Sequence, residues 1–197
     1  FVEASAMEFN DPDVTDFIDG WGMGIWGEGF GLTYLDPANK DKVLYHVTKT
    51  YAKNFSNVIV SINAHKDIGN EPLMVLADKE DFVFRHDAIG SRVWFEPSQS
   101  KLMIDYFPEH FTIAESMWWL SQGPNTSVYT NEGFSDWREV MDFTYMEAKR
   151  IRANILDLRN VAEASTLWMS QASDLVEDFN RRAGYRLTPT EIVFPSR

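Results

Sequence analysis

Short apolar runs separated by segments of helical period repeat along the whole chain. The first run, over 17–27, is a buried-strand pattern threaded with glycines. Residues 39–54 place Val43, Leu44, Val47 and Tyr51 on one face and predict a helix. Asn57-Val-Ile-Val-Ser-Ile-Asn63 predicts a strand, residues 71–78 a short helical turn, and 81–89 another strand. An irregular segment with Pro97 and Pro108 is expected next, followed by a helix over 110–122 carrying Ile113, Met117 and Leu120. A strand over 127–130 and a helix over 135–150 come after it. The pattern ends with a strand over 153–158, a helix over 162–183, and a β-prone piece, Glu191-Ile-Val-Phe194, set off by Pro189 and Pro195.

This is βα alternation repeated five times, and parallel strands joined by crossover helices are its expected outcome. The strands near 17–27, 57–63, 81–87, 127–131 and 153–158 are expected as neighbours in sequential order. Polar and aromatic residues cluster at the C-terminal end of each strand, where sites of (β/α)8 barrels lie. The fold class read from the chain is therefore α/β, the last five βα units of a TIM barrel. The barrel part spans 1–188, and 189–197 begins a truncated β-sandwich or tail. Another chain or an upstream segment would complete the barrel. A doubly wound sheet would want a Gly-rich turn that leads into a helix, whereas Gly20 to Gly27 lies within a strand pattern and runs on to Glu28.

Composition narrows the partners. With 44% hydrophobic and 24% charged residues the chain can bury a substantial core. Its 30 acidic against 18 basic residues give a formal charge of −12, which argues against nucleic acid and anionic membrane as partners. The sequence has no cysteine, so disulfides, thiolate chemistry and Cys-ligated zinc are excluded. No apolar run is long enough to span a membrane and no leader-like segment is seen. The four histidines show no paired helical spacing, and neither a metal nor another cofactor is expected.

The chemistry-bearing residues sit at predicted strand ends. Phe17-Ile-Asp-Gly-Trp-Gly-Met-Gly-Ile-Trp-Gly-Glu28 combines glycines, which allow close approach, with the flat apolar faces of Trp21 and Trp26, and stops on a carboxylate. Glu132, in Asn131-Glu132-Gly133, is a second strand-end carboxylate, and two carboxylates are the minimum equipment for glycoside hydrolysis. A plainer role is open for each. Glu28 would bond backbone amides of its own turn, and Glu132 would favour the start of the helix that follows. Candidates for contact with substrate are Trp26, Asn63, His65, Arg85, His86, Asp87, Asn131 and Trp137. Asp87 would accept sugar hydroxyls, hold His86 in one tautomer, or pair with Arg85. His65 is equally readable as a structural histidine, and the tryptophans as core.

Asn10-Asp-Pro-Asp, the Trp-Gly-Glu28 segment, Arg85-His-Asp-Ala-Ile-Gly90, Asn131-Glu132 with Trp137, and the Trp168 helix running into Gly184-Tyr-Arg-Leu187 together resemble a bacterial family of glycoside-hydrolase-like (β/α)8 barrels. Many of its members are known only as a domain of unknown function. In that family the Trp-Gly-Glu segment ends strand four, and Gly-Tyr-Arg-Leu leads into a C-terminal β-sandwich. Similarity to the clan of retaining glycosidases implies an acid/base at the end of strand four and a nucleophile at the end of strand seven. Counted from Glu28, that implies Glu28 as acid/base and Glu132 as nucleophile, with a carbohydrate substrate and the first three βα units lying outside this chain. The clan's strand-four signature is Asn-Glu, and this chain has Gly27-Glu28 there. A polysaccharide-degrading enzyme of this kind is expected to be secreted, periplasmic or on the cell surface, with its signal outside this chain. The competing expectation is a non-catalytic carbohydrate-binding or scaffold protein on a glycosidase-like barrel.

Overall fold

The computed structural model describes residues 1–20, 23–24, 31–63, 71–95, 97–105, 110–119, 123–124, 131–158 and 162–183. After helix α1 (Val2–Phe9), strands and helices alternate: β1 (Phe17–Asp19), α2 (Lys40–Asn54), β2 (Ile59–Asn63), α3 (Glu71–Lys79), β3 (Val83–Ile89), α4 (Pro97–Asp105), β4 (Thr112–Ser116), α5 (Trp137–Arg150), β5 (Ile155–Asp157), α6 (Ala162–Gln171) and α7 (Ser173–Arg182). The strands form one sheet in the order β1-β2-β3-β4-β5, every pair parallel. The sheet is curled into a half-barrel.

The two faces of the sheet follow from the strand period of two. Val60 and Ile62 of β2, Phe84 of β3 and Ala114 of β4 share one buried cluster with Leu44 and Tyr51 of α2, Ala77 of α3, Met103 of α4 and Ala148 of α5. Helices thus cover one face, and each large apolar side chain sealed there contributes about 1.5–3 kcal/mol. The intervening residues, among them Asp19, Ser61, Arg85, Ile113 and Glu115, face the concave side.

Two close approaches fix the sheet's neighbours. At Gly20, whose N–H donates to the Ser61 carbonyl at 2.8 Å, an added Cβ would sit 3.0 Å from both that oxygen and a Val60 methyl. At Gly90, with φ +90°, an added Cβ would fall 2.1 Å from the Thr144 hydroxyl, so the end of β3 lies directly on α5. Just before it, the pairing of β3 with β4 slips between His86 and Ile89, and Ala88 takes a φ of +59°. One extra residue stands in β3 there, a β-bulge.

Four expectations are corrected. Residues 112–116 are a strand, not part of a helix over 110–122. All five of its positions are buried, because a parallel strand inside the sheet is covered on both faces and loses alternation. The spacing of Ile113, Met117 and Leu120 imitated a helical stripe. Since β4 pairs directly with β5, no strand from 127–131 separates the third strand from the last, and 125–130 themselves lie outside the described residues. The segment read as irregular contains α4, which begins on Pro97, a position where the missing N–H costs no helical bond. The helix over 162–183 is two helices. A break at Ala172 lets Trp168 of α6 and Leu175 and Val176 of α7 join one apolar cluster with Met141 of α5. Helix α1 has no counterpart among the predicted elements, and 189–197 lie outside the described residues.

Candidate functional site

Asp19, Asn63 and Asp157 are the last residues of β1, β2 and β5, and Glu115 is the last but one of β4. Parallel strands carry all these ends to one rim of the sheet, the side on which barrel sites are built. A cleft of about 420 Å³ opens on the concave face, lined by Phe17, Asp19, Arg85, Ile113, Glu115, Ile155 and Asp157. It is acidic, with three carboxylates around one guanidinium.

Arg85 organises the cleft. Its Nη2 donates to Glu115 Oε2 across β3 and β4, and its Nε stands 3.5 Å from Asp19 Oδ2. Ser61 on the strand between donates its hydroxyl to the other Asp19 oxygen, Oδ1. Charge compensation accounts for the burial of Glu115, which is 6% exposed, since a buried carboxylate is tolerated only when paired. Asn63 is in register with Arg85, on the same face, and Asp87 lies two residues beyond Arg85 just ahead of the bulge.

The sequence candidates divide sharply. Arg85 lines the cleft. Asn63, in register with it, and Asp87, two residues further along β3, share its face of the sheet by alternation without being among the cleft's lining residues. His86 does not face the cleft. It is fully buried on the helix side of β3, edge-on to Phe95 with ring centroids 4.7 Å apart, because alternation assigns it the opposite face from Arg85 and Asp87. Trp137 opens α5 and packs between the Trp119–Phe134 and Met141–Trp168 clusters, so it is an interhelical side chain and not a wall of the cleft. Asn131 is exposed, and its side-chain oxygen accepts from Gly133 N–H at 3.0 Å. Trp26, Glu28 and His65 lie outside the described residues.

Glu132 stands in the connection between β4 and α5, away from the cleft lining. Ser91 Oγ donates to its Oε1 at 2.7 Å and Arg92 N–H to its Oε2. Arg92 Nη1 reaches the carbonyls of Glu132 and Gly133 at 3.1 Å each. The Arg92 guanidinium also lies 3.9 Å over the Phe134 ring and donates to Glu139 Oε1 at 2.7 Å. Both oxygens of Glu132 thereby tie the loop after β3 to the loop before α5. Glu139, in the first turn of α5, has its carboxyl pulled down to about 2, first by the Ser135 hydroxyl, then by the Ser135 N–H and Arg92.

Glu115, Asp19 and Asp157 were missed by the sequence reading. The signal for Glu115 was present in Thr112-Ile-Ala-Glu-Ser116, a β-branched start followed by a strand-end carboxylate, but it was absorbed into the false helix. Among the described residues no cluster of metal-ligating side chains occurs, and no helix is long and apolar enough to cross a membrane. No family model, curated protein or solved structure matches the chain.

Proposed function

We propose that this chain is the catalytic part of a glycoside hydrolase, with the nucleophile moved from Glu132 to Glu115. The supporting observation is the strand count. With β4 at 112–116, Glu115 and not Glu132 lies at the end of the third strand after the one that leads toward Glu28, and it does so inside the acidic cleft. In the retaining scheme Glu115 attacks the anomeric carbon while Glu28 gives its proton to the leaving oxygen. The glycosyl ester so formed is then cleaved by water, whose proton returns to Glu28. The positive charge of Arg85 suits a carboxylate that acts as an anion, and the missing barrel strands would come from sequence outside this chain or from another chain.

The second reading, a carbohydrate-binding protein, is favoured by that same ion pair, because a carboxylate engaged by a guanidinium can serve binding alone. Turnover of a panel of aryl glycosides by the wild type, Glu28→Gln and Glu115→Gln separates the two. Wild-type hydrolysis that Glu115→Gln removes on every aryl glycoside, and Glu28→Gln removes only where the leaving group is poor, supports catalysis. Sugar binding without any hydrolysis supports the second reading.

A further inference from the structure

Asn63 is 5% exposed, and neither its Nδ2 nor its Oδ1 has a hydrogen-bond partner. On the next strand the buried Oδ1 of Asp87 is likewise without a hydrogen bond. His86 Nδ1 stands 3.7 Å from it, beyond hydrogen-bond reach, and contacts the Asp87 carbonyl instead. Buried polar atoms are almost always paired, and each orphan costs about 1–3 kcal/mol. Here three lie toward the C-terminal ends of two neighbouring strands, and alternation puts both residues on the face that carries Arg85 and Glu115.

Resting on the glycosidase reading for the identity of the reacting group, we propose that Asn63 and Asp87 form a subsite for two adjacent free hydroxyls of a neutral sugar. The orphaned atoms comprise one NH2 donor and two acceptor oxygens. A vicinal diol offers two O–H donors and oxygens that accept. One hydroxyl accepts from Asn63 Nδ2 and donates to Asp87 Oδ1, and its neighbour donates to Asn63 Oδ1, which satisfies all three atoms. Charge sets the other half of the specificity. Asp87 lies two residues along β3 from Arg85, which lines a cleft with Asp19, Glu115 and Asp157, so a uronic acid or sulfated sugar is repelled by the excess of carboxylates. A site built to bond hydroxyls also rejects an analogue that lacks one, because its own polar groups are then left unmet.

The test uses the full chain, with any completing segment it requires, and methyl glycosides of neutral hexoses and pentoses, their 2-deoxy and 3-deoxy counterparts, and a methyl glucuronide. Binding is read by calorimetry. At least one neutral glycoside should bind, a deoxy counterpart should bind about tenfold or more weakly, and the glucuronide should not bind. Asn63→Leu, close in volume and without polar atoms, should raise Tm while abolishing binding, since it removes orphans that only a ligand satisfies. Deoxy sugars binding as well as their parents, no glycoside binding at all, or a lower Tm for Asn63→Leu would overturn the subsite. Diol-dependent binding without turnover would sink the catalytic reading and keep the subsite, whereas turnover indifferent to the deoxy positions would do the reverse.

Discussion

Arg85 of β3 and Glu115 of β4 form an ion pair within the concave cleft, their side chains only 9% and 8% exposed. Such a pair is costly to break from one side. Arg85→Leu is expected to destabilise the fold by about 3–5 kcal/mol, because it withdraws the guanidinium from a buried carboxylate. The double substitution Arg85→Leu with Glu115→Leu should recover most of that loss. Urea midpoints of the two variants check this, and equal destabilisation by both would show that the pair is not the source.

Glu115→Gln keeps shape and removes the charge that the proposed attack on the anomeric carbon needs. Turnover of every glycoside the wild type cleaves should fall by on the order of 10³-fold or more, whatever the leaving group. Glu28→Gln should spare substrates with an activated leaving group, which needs little protonation. Steady-state rates on a nitrophenyl and an unactivated glycoside give the comparison. A Glu115→Gln enzyme that retains wild-type rates would return the nucleophile to another carboxylate.

Glu132→Ala should act on the loops and not on the chemical step. It leaves Ser91 Oγ and Arg92 N–H without their acceptor, a loss of about 1–3 kcal/mol. Amide exchange at Arg92 should accelerate, and kcat should fall far less than in Glu115→Gln. Loss of all turnover with an unchanged Tm would instead restore Glu132 to the catalytic pair.

The first turn of α5 carries an acid-sensitive element. The carboxyl of Glu139 titrates near 2 in the folded chain against an ordinary 4.5, so its folded value lies below its unfolded one. The stabilisation is therefore complete above about pH 5 and is lost as pH falls through about 4.5 toward 2. A Tm series over that window should decline, and less steeply in Glu139→Gln. Asp136 should still cap the helix in that variant, since its side chain accepts from the backbone N–H of residue 139.

How much the sequence disclosed depended on which faces of an element meet water. Helix α2 was legible because its outer face stays polar while Leu44, Thr48 and Tyr51 turn inward, and α5 for the same reason. Strands β2 and β3 announced themselves through β-branched and aromatic runs between polar breaks. β4 did not. Buried on both sides, it offers no alternation, and its composition of Thr, Ile, Ala, Glu and Ser fits either state. That single misreading shifted the strand count, which reached Glu132 where the paired order reaches Glu115. Of the strand-end candidates Arg85 lines the cleft, and Asn63 and Asp87 share its face of the sheet. His86 failed the finer condition that only every second residue of a strand sees the same side.

The bulge at Ala88 acts on that parity. Uniform alternation from Val83 through Arg85 and Asp87 would send the side chain of Ile89 into the charged cleft, yet Ile89 is fully buried in the helix-side core. The extra residue resets odd and even, letting one strand deliver Asp87 to the rim and, two positions later, an apolar anchor to the opposite layer. Length here is thus a constraint independent of composition. Inserting one residue beside Ala88 should be worse tolerated than any substitution at that position, since it moves an isoleucine among carboxylates and swings Gly90 off Thr144. Scored for soluble expression, a one-residue insertion at Ala88 should fail where its deletion, which leaves Ile89 on the helix side, is tolerated, while substitutions of Ala88 by Gly or Asn, which accept its positive φ, should pass.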